Sequence, residues 1–336
     1  MQETKKFLES LGQCLLSVVV PVYNEQEVLL EFHRRLAAVL DQLQVKSEIV
    51  YVNDGSFDGT LAIIERLREQ DHRVALVDLS RNYGKEIALT AGLDHARGAA
   101  VVVIDADLQD PPELIPEMLT AWQEGFDMVY AKRTAREGES WIKKATAHSF
   151  YRLIQYFSRV KIPEDTGDFR LLSRRAVNAL LQMRERNRFM KGLFAWIGFR
   201  QKAVSYRRDP RFAGNTKWNY WKLWNFALDG FTSFTIGPLK IASYLGLIIA
   251  AGAFAHGVFI IYKTLLYGDP VAGYPSLMVV ILLLGGVQLV ALGIIGEYLG
   301  RMFEETKQRP LYLVNNYLYP YGARHHANDN LSDTTP

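Results

Sequence analysis

Between residues 15 and 131 the chain alternates short apolar runs with amphipathic stretches. Residues 15–20, 47–52, 74–79, 100–104 and 128–131 are short, mainly apolar runs of strand length, and that at 100–104 is continuous. Continuous rather than alternating hydrophobicity is the pattern of strands buried on both faces. Residues 27–43, 60–70, 85–96 and 112–124 instead repeat apolar positions at helical spacing. Strands and helices in strict alternation predict right-handed βαβ crossovers, hence an α/β domain built on a mostly parallel sheet with helices on both faces.

The pattern changes after residue 206. Two apolar stretches, 236–262 and 274–296, are each long enough at about 20 residues or more to cross a bilayer. Between them the only charges are Lys263 and Asp269, whereas Arg207, Arg208, Arg211, Lys217 and Lys222 precede the first, Lys240 lies at its start, and Arg301, Lys307 and Arg309 follow the second. The positive-inside bias predicts two transmembrane helices with both ends, and the α/β domain, in the cytoplasm. Gly285, Gly286, Gly293 and Gly296 would allow close helix packing, and Glu297 is spaced to pair with Arg301. In 218–229, Trp221, Trp224 and Leu228 fall at helical spacing, the composition of an interfacial amphipathic helix, with a core-facing aromatic stripe as the alternative. After about residue 321 the polar tail reads as disordered. The expected organisation is a domain over 1–217, a juxtamembrane helix over 218–232, two spans over 233–303 and a cytoplasmic tail over 304–336.

Composition narrows little. The 336 residues, 49% of them hydrophobic, suffice for a full α/β domain and more, and the net charge of +3 gives no reason to expect a nucleic-acid partner. The single cysteine, Cys14, excludes an internal disulfide framework, and the seven histidines lack metal-ligand spacing. Lys5 and Lys6 ahead of an apolar run superficially resemble a signal peptide, but the run stops at Pro21 without a small-residue cleavage site, so a first strand and no export are expected.

The chemistry lies where strands end. The run 99–104 terminates in Asp105-Ala106-Asp107, which delivers two carboxylates to the carboxyl edge of the sheet, the edge at which open α/β sheets bind ligands. Hard oxygen ligands so placed suit Mg²⁺ or Mn²⁺ holding a diphosphate; the alternative is a polar turn leading into the next helix. Glu25 and Asp54 follow the first two strands and belong on the same edge, where a carboxylate can accept hydrogen bonds from a ribose hydroxyl or a uracil N–H, although Asp54 before Gly55 is also an ordinary turn residue. Arg133, at the end of the run 128–131, can pair a phosphate bidentately, while Arg136, Lys143 and Lys144 read as solvated charge. Neither a Gly-x-Gly-x-x-Gly nor a P-loop pattern is present, so a metal rather than a glycine loop would have to hold the phosphates.

Val19-Val-Pro-Val-Tyr-Asn-Glu25, Val52-Asn-Asp-Gly-Ser56, Arg81-Asn-Tyr-Gly-Lys85 and Asp105-Ala-Asp-Leu-Gln-Asp-Pro-Pro112 occur in this order. With these motifs the chain resembles family 2 inverting glycosyltransferases of the GT-A fold, and within them the polyprenyl-phosphate subgroup, from about residue 15 to 300. The resemblance implies that Pro21, Tyr23, Glu25 and Asp54 line a nucleoside pocket with Asp105 and Ala106 beside it, that Asp107 and Gln109 join Asp105 at the metal, and that Arg133 faces the acceptor phosphate. It also matches Arg211 and Lys217 to a loop that closes over the departing diphosphate, with Thr216 where serine is usual. A juxtamembrane patch for anionic lipid is the other reading of those two cations. Asp168 matches a carboxylate near the anomeric carbon. A phosphate acceptor is already ionised, so Asp168 can orient the donor sugar instead of acting as a base.

The implied activity is metal-dependent, inverting transfer of a sugar from a nucleotide sugar, UDP-glucose by preference, to undecaprenyl phosphate at the inner membrane. GDP-mannose, UDP-N-acetylglucosamine and a UDP-linked modified arabinose stay open as donors, and a small homo-oligomer is expected. A processive polysaccharide synthase would need more spans and a Gln-x-x-Arg-Trp motif, and a non-catalytic scaffold would not need the Asp105, Asp107 and Gln109 set.

Overall fold

The computed structural model describes residues 16–43, 45–133, 166–186, 188–206, 237–267 and 273–320. The expectations for Cys14, Arg136, Lys143, Lys144, Arg207, Arg208, Arg211, Lys217, the helix over 218–229, Asp269 and the tail beyond 320 fall outside these residues.

Strands β1 (Leu16–Val22), β2 (Ser47–Asn53), β3 (Val74–Leu79), β4 (Ala100–Val103) and β5 (Met128–Arg133) are the five apolar runs. Helices α1 (Leu29–Leu43), α2 (Thr60–Gln70), α3 (Lys85–His95) and α4 (Ile115–Gln123) connect them, with a 3₁₀ turn at Pro112–Leu114 before α4. Then follow β6 (Thr166–Ser173), α5 (Arg174–Gln182), α6 (Met190–Trp196) and β7 (Gln201–Tyr206). Two long helices, α7 (Gly237–Tyr267) and α8 (Tyr274–Thr306), precede a last strand, β8 (Val314–Leu318).

One eight-stranded sheet runs in the order β7-β5-β6-β4-β1-β2-β3-β8. It is mostly parallel, as expected, with two exceptions: β6 is antiparallel to both β4 and β5, and β8 is antiparallel to β3. The N-terminal end of β6 therefore shares an edge with the C-terminal ends of β1, β2, β4 and β5.

Each face of the sheet is sealed by an apolar layer. Phe32, Leu36, Ile64, Ile115 and Met118 from α1, α2 and α4 pack on one face, and Leu89, Leu93, Val177, Leu180, Leu193 and Phe194 from α3, α5 and α6 on the other, all at most 1% exposed. At roughly 1.5–3 kcal/mol per fully buried large aliphatic or aromatic side chain, these layers fix the sheet and hence the spacing of its edge residues.

The helices α7 and α8 are 31 and 33 residues long, about 45–50 Å at 1.5 Å per residue. Within them Leu283–Thr306 is, among the described residues, the stretch long and apolar enough to cross a membrane, with a mean hydropathy of 1.5. Large apolar side chains face outward along both helices, among them Leu247, Ile248, Leu265, Leu283 and Leu289. Glu297 and Arg301 make the expected pair at 2.9 Å. A Cβ added at Gly285, Gly286, Gly293 or Gly296 would meet nothing within 4 Å among the described residues.

Candidate functional site

The sheet register builds the centre of the site. β4 and β6 pair Val103 with Arg170, and two residues further along this antiparallel ladder Asp105 stands across from Asp168. Two carboxylates on adjacent strands repel unless a cation intervenes, and Lys85, the first residue of α3, supplies it. Its Nζ donates to Asp105 Oδ2 at 2.6 Å and to Asp168 Oδ2 at 2.5 Å. The sequence reading quoted Lys85 only as the end of a motif and gave it no role. What could have revealed it is its position: a lysine directly after a strand-end loop, on the edge that carries the acids.

More charge surrounds this triad. The Glu86 carboxylate accepts from the Met190 N–H at 3.1 Å, and the Arg170 guanidinium, 4% exposed, donates to the Gly167 carbonyl at 2.9 Å and lies 3.7 Å over the Phe194 ring. Burial pushes the Asp105 carboxyl up to about 6 against the pull of Lys85, and burial with the nearby Asp168 charge pushes Glu86 up to about 7. At Asp168 burial is outweighed by Lys85, then Lys191 and Arg170, which hold its carboxyl well below the usual range. Desolvation opposes the charge on Lys85, but Asp105 and Asp168 outweigh it, so the ammonium stays protonated. Asp168 Oδ1 is buried and has no hydrogen-bond partner among the described residues, a position that favours a polar hydrogen from a ligand.

The loops after β1 and β2 are tied to each other. Asn24, at φ 54°, accepts the Phe57 N–H on its Oδ1 and donates its own N–H to Ser56 Oγ, and the Glu25 N–H donates to Thr60 Oγ1. Pro21 lies in β1 opposite Val52, and Tyr23 meets Phe57 edge-on at 6.0 Å, with Phe57 83% exposed. Asp54, expected to face a nucleoside, is 3% exposed and uses its carboxylate to accept the N–H groups of Tyr83 and Gly84 at 2.7 and 2.9 Å. It shapes the 80–84 loop that presents Lys85. Burial raises its pKa despite those two donors. Gly55, at φ 65°, sits where the same loop crosses: a Cβ there would lie 2.5 Å from the Arg81 carbonyl carbon.

On the other side of Asp105, Ala106 is buried and Asp107 turns the chain by accepting the Gln109 N–H at 3.1 Å. Leu108 between them holds φ 59°, a left-handed conformation that costs a branched side chain about 1–3 kcal/mol and is characteristic of functional turns. The two carboxylates and the Gln109 amide would offer oxygen donors of the kind a hard divalent ion takes. Among the described residues no three acidic, histidine or cysteine side chains gather closely enough to hold an ion by themselves. A Mg²⁺ or Mn²⁺ ion here would be completed by substrate phosphates and water, so the residues fit such an ion.

Arg133 ends β5 beside this turn. Its Nε donates to the Tyr206 hydroxyl at 3.3 Å, and that hydroxyl donates to Asp110 Oδ1. A Cβ on Gly167 would come within 3.2 Å of the Arg133 guanidinium, so the glycine leaves the arginine room to lie across the start of β6. Tyr206 and Asp110 were not foreseen. Burial and then Asp110 push the Tyr206 phenol up to about 12, which keeps it a proton donor. The structure thus brings Asp105, Asp107, Gln109, Arg133 and Asp168 to one edge with Glu25, and gives Asp54 a supporting position.

The model of the family described as glycosyl transferase family 2 matches residues 17–181, and that of the GtrB C-terminal hairpin matches residues 237–302. A glycosyltransferase of Synechocystis is 56% identical over 301 residues, covering 90% of this chain and 95% of its own length. The prophage bactoprenol glucosyl transferase homolog of Escherichia coli is 48% identical over 299 residues, covering 89% and 98%, and the bactoprenol glucosyl transferase of Shigella phage SfV is 48% identical over 301, covering 90% and 98%. Among solved structures, a glucosyl-3-phosphoglycerate synthase of Mycobacterium tuberculosis, in complex with Mn²⁺, UDP-glucose and phosphoglyceric acid, aligns with a TM-score of 0.46 at 20% identity over 68% of this chain and 79% of that one. That likeness is too distant to bear on substrate or metal.

Proposed function

The chain belongs to glycosyl transferase family 2, and from that premise we propose that it transfers glucose from UDP-glucose to the phosphate of a polyprenyl phosphate, with inversion, at the cytoplasmic face of a membrane. The observation that carries this reading is the likeness, over nearly the full length and through the C-terminal hairpin, to proteins named bactoprenol glucosyl transferase. The site geometry agrees with it: oxygen donors of the kind a metal takes, a buried carboxylate with one unsatisfied oxygen and a strand-end arginine share one edge.

In the proposed reaction an oxygen of the acceptor phosphate bonds to the anomeric carbon while the bond from that carbon to the UDP β-phosphate breaks, and UDP leaves with the electron pair. The acceptor is already ionised, so no proton need be removed. Arg133 holds the acceptor phosphate, and the cost of aligning the reactants is met by binding. Asp168 receives a sugar hydroxyl on its free Oδ1, while Lys85 holds its other oxygen and keeps it apart from Asp105. A Mg²⁺ or Mn²⁺ ion at Asp105, Asp107 and Gln109 would supply charge stabilisation for the diphosphate. Arg211 and Lys217 would add to that stabilisation, and Pro21, Tyr23 and Glu25 would border the nucleoside, with Asp54 supporting the 80–84 loop beside them.

We further propose that α7 and α8 both span the bilayer, with 218–232 lying at its surface and 1–217 in the cytoplasm. The outward-facing leucines of both helices support this arrangement.

The experiment is to incubate membranes carrying the chain with UDP-glucose, GDP-mannose, UDP-N-acetylglucosamine and a UDP-linked aminoarabinose, each with undecaprenyl phosphate. Labelled glucosyl lipid as the main product is expected. Product with another sugar only would overturn the donor assignment, and sugar-nucleotide hydrolysis without lipid product would overturn the acceptor.

A further inference from the structure

The chain that leaves α8 returns to the catalytic sheet. Residues 311–319 lie along β3, whose edge would otherwise be open, and β8 completes the sheet there. Arg68 donates two hydrogen bonds to the Tyr319 carbonyl, at 3.1 and 3.0 Å, and the Tyr312 hydroxyl donates to Asp94 at 2.7 Å.

The ladder between β3 and β8 is interrupted at one place. Asp78 pairs with Asn316 and Leu79 with Val314, which leaves Asn315 as an extra residue. A bulge of this kind re-aims a side chain. Here the Asn315 amide donates to Asp78 Oδ2 at 2.8 Å, while the Asn53 amide donates to Asp78 Oδ1 at 2.7 Å. Asp78 is 6% exposed. Asn53 in turn accepts the Ser56 N–H, and Ser56 Oγ accepts the Asn24 N–H. Two residues before Asn315, the Leu313 carbonyl accepts the Ser80 N–H at 3.0 Å, at the start of the loop that Asp54 holds and that ends in Lys85.

We propose that this C-terminal strand is a positioning element for the donor site, with Asn315 and Asp78 as its positioning residues. It fixes the 53–57 and 80–84 loops, and through them Asn24, Asp54 and Lys85, although no residue of the strand touches a reacting group. The inference rests on the reading of that edge as a donor site. It adds that the edge is complete only when the segment following the membrane hairpin has docked. Asp78 is a bridge between two amides, so a variant at any of its three members acts at the loops, some distance from the substitution.

The test uses the full-length chain in detergent and two independent readouts, amide hydrogen exchange without ligand and binding of UDP with Mn²⁺. Losing a buried hydrogen bond to a charged group changes an opening equilibrium by roughly 5- to 100-fold. Asn315→Ala is expected to speed exchange in the 53–57 and 80–84 peptides by that factor, to leave 16–20 and 100–103 unchanged, and to weaken UDP binding without changing the KM for undecaprenyl phosphate. Asp78→Asn alone removes the charge that both amides face, and Asn315→Asp alone sets carboxylate against carboxylate. Combined, the two restore one donor and one acceptor at each contact, so the double variant should recover both readouts. Loops that exchange as in the unsubstituted chain, or a double variant no better than the worse single one, would overturn the proposal. Unsubstituted chain that binds no UDP, with loops that still respond to Asn315, would instead refute the donor reading and leave the strand's role intact.

Discussion

Replacing Lys85 by methionine removes the cation between Asp105 and Asp168 and leaves the methylene stem in place. Both carboxylate oxygens contact the same Nζ, at 2.6 and 2.5 Å, so they stand no more than about 5 Å apart. What the substitution removes is the ammonium's attraction to each carboxylate, about 6 kcal/mol at these contact distances and an effective dielectric of about 20, which leaves the mutual repulsion of the two acids uncompensated. The Lys85 side chain is 44% exposed, and solvent screening brings the figure down to about 1–2 kcal/mol, or roughly one pH unit. The sign is fixed: without the ammonium a carboxylate holds its proton more tightly, so its pKa rises. If catalysis needs both groups ionised, the acid limb of kcat/KM moves upward from near 6, the value to which burial pushes Asp105, by about one unit. At neutral pH the variant should also lose about 10²–10³-fold in rate, as when one preorganised charge is removed from a site where charge develops. Lys85→Arg keeps the charge and should be milder. The assay is transfer of labelled glucose to undecaprenyl phosphate across the acid and neutral range. A Lys85→Met protein with the original rate and pH profile would refute the bridging role.

Asp107→Asn should abolish transfer and weaken UDP binding measured with Mn²⁺, since it removes a charge and a ligand from a hard-cation site; full activity of the variant, or of the unsubstituted enzyme in excess chelator, would sink the metal assignment. Arg133→Ala should slow transfer to undecaprenyl phosphate by about 30-fold to several thousand-fold, from a penalty of roughly 2–5 kcal/mol for an unpaired bound charge, whereas Asp168→Asn keeps a polar oxygen and should retain measurable activity. The opposite ranking, or equal transfer to undecaprenol, would mean that a hydroxyl is the nucleophile. A cysteine introduced by Asp269→Cys should label from outside intact cells and one introduced by Gln308→Cys should not; the reverse would put the site on the wrong side of the membrane for its nucleotide sugar.

Where burial was continuous the sequence was legible. The bounds of α2 and β3 coincide with the apolar patterns over 60–70 and 74–79. β1 runs two residues past its expected end because Pro21 was read as a stop. The Val22 carbonyl accepts from Asp54 toward β2, so Pro21 faces the other side, where the pairing with β4 ends at Val19 and a missing N–H costs little. β6 was hidden by its charges: Asp168 and Arg170 in a strand resemble a polar loop until the register shows each facing a partner. β8 was hidden because an edge strand has little to bury, and Val-Asn-Asn-Tyr-Leu reads as tail. Asp105, Asp107 and Arg133 could be assigned to one edge from the sequence because strand ends point there. Lys85, Tyr206 and Asp110 were missed because their importance lies in contacts across 20 to 96 residues of sequence, which no local pattern encodes.

The order of strands also sets an order in time. β3 is made early, and the strand that covers its edge lies about 235 residues later, beyond both long helices. At the usual 5–20 residues per second, the ribosome needs roughly 10–50 s to reach it. During that interval the backbone groups of β3 lack their last partner strand, and on the proposed topology the hairpin would meet the translocation machinery before the sheet is closed. A molecule that completes its outer edge would then already have passed the point at which its apolar helices find lipid. Topogenesis and maturation of the catalytic domain would become successive steps of a single synthesis.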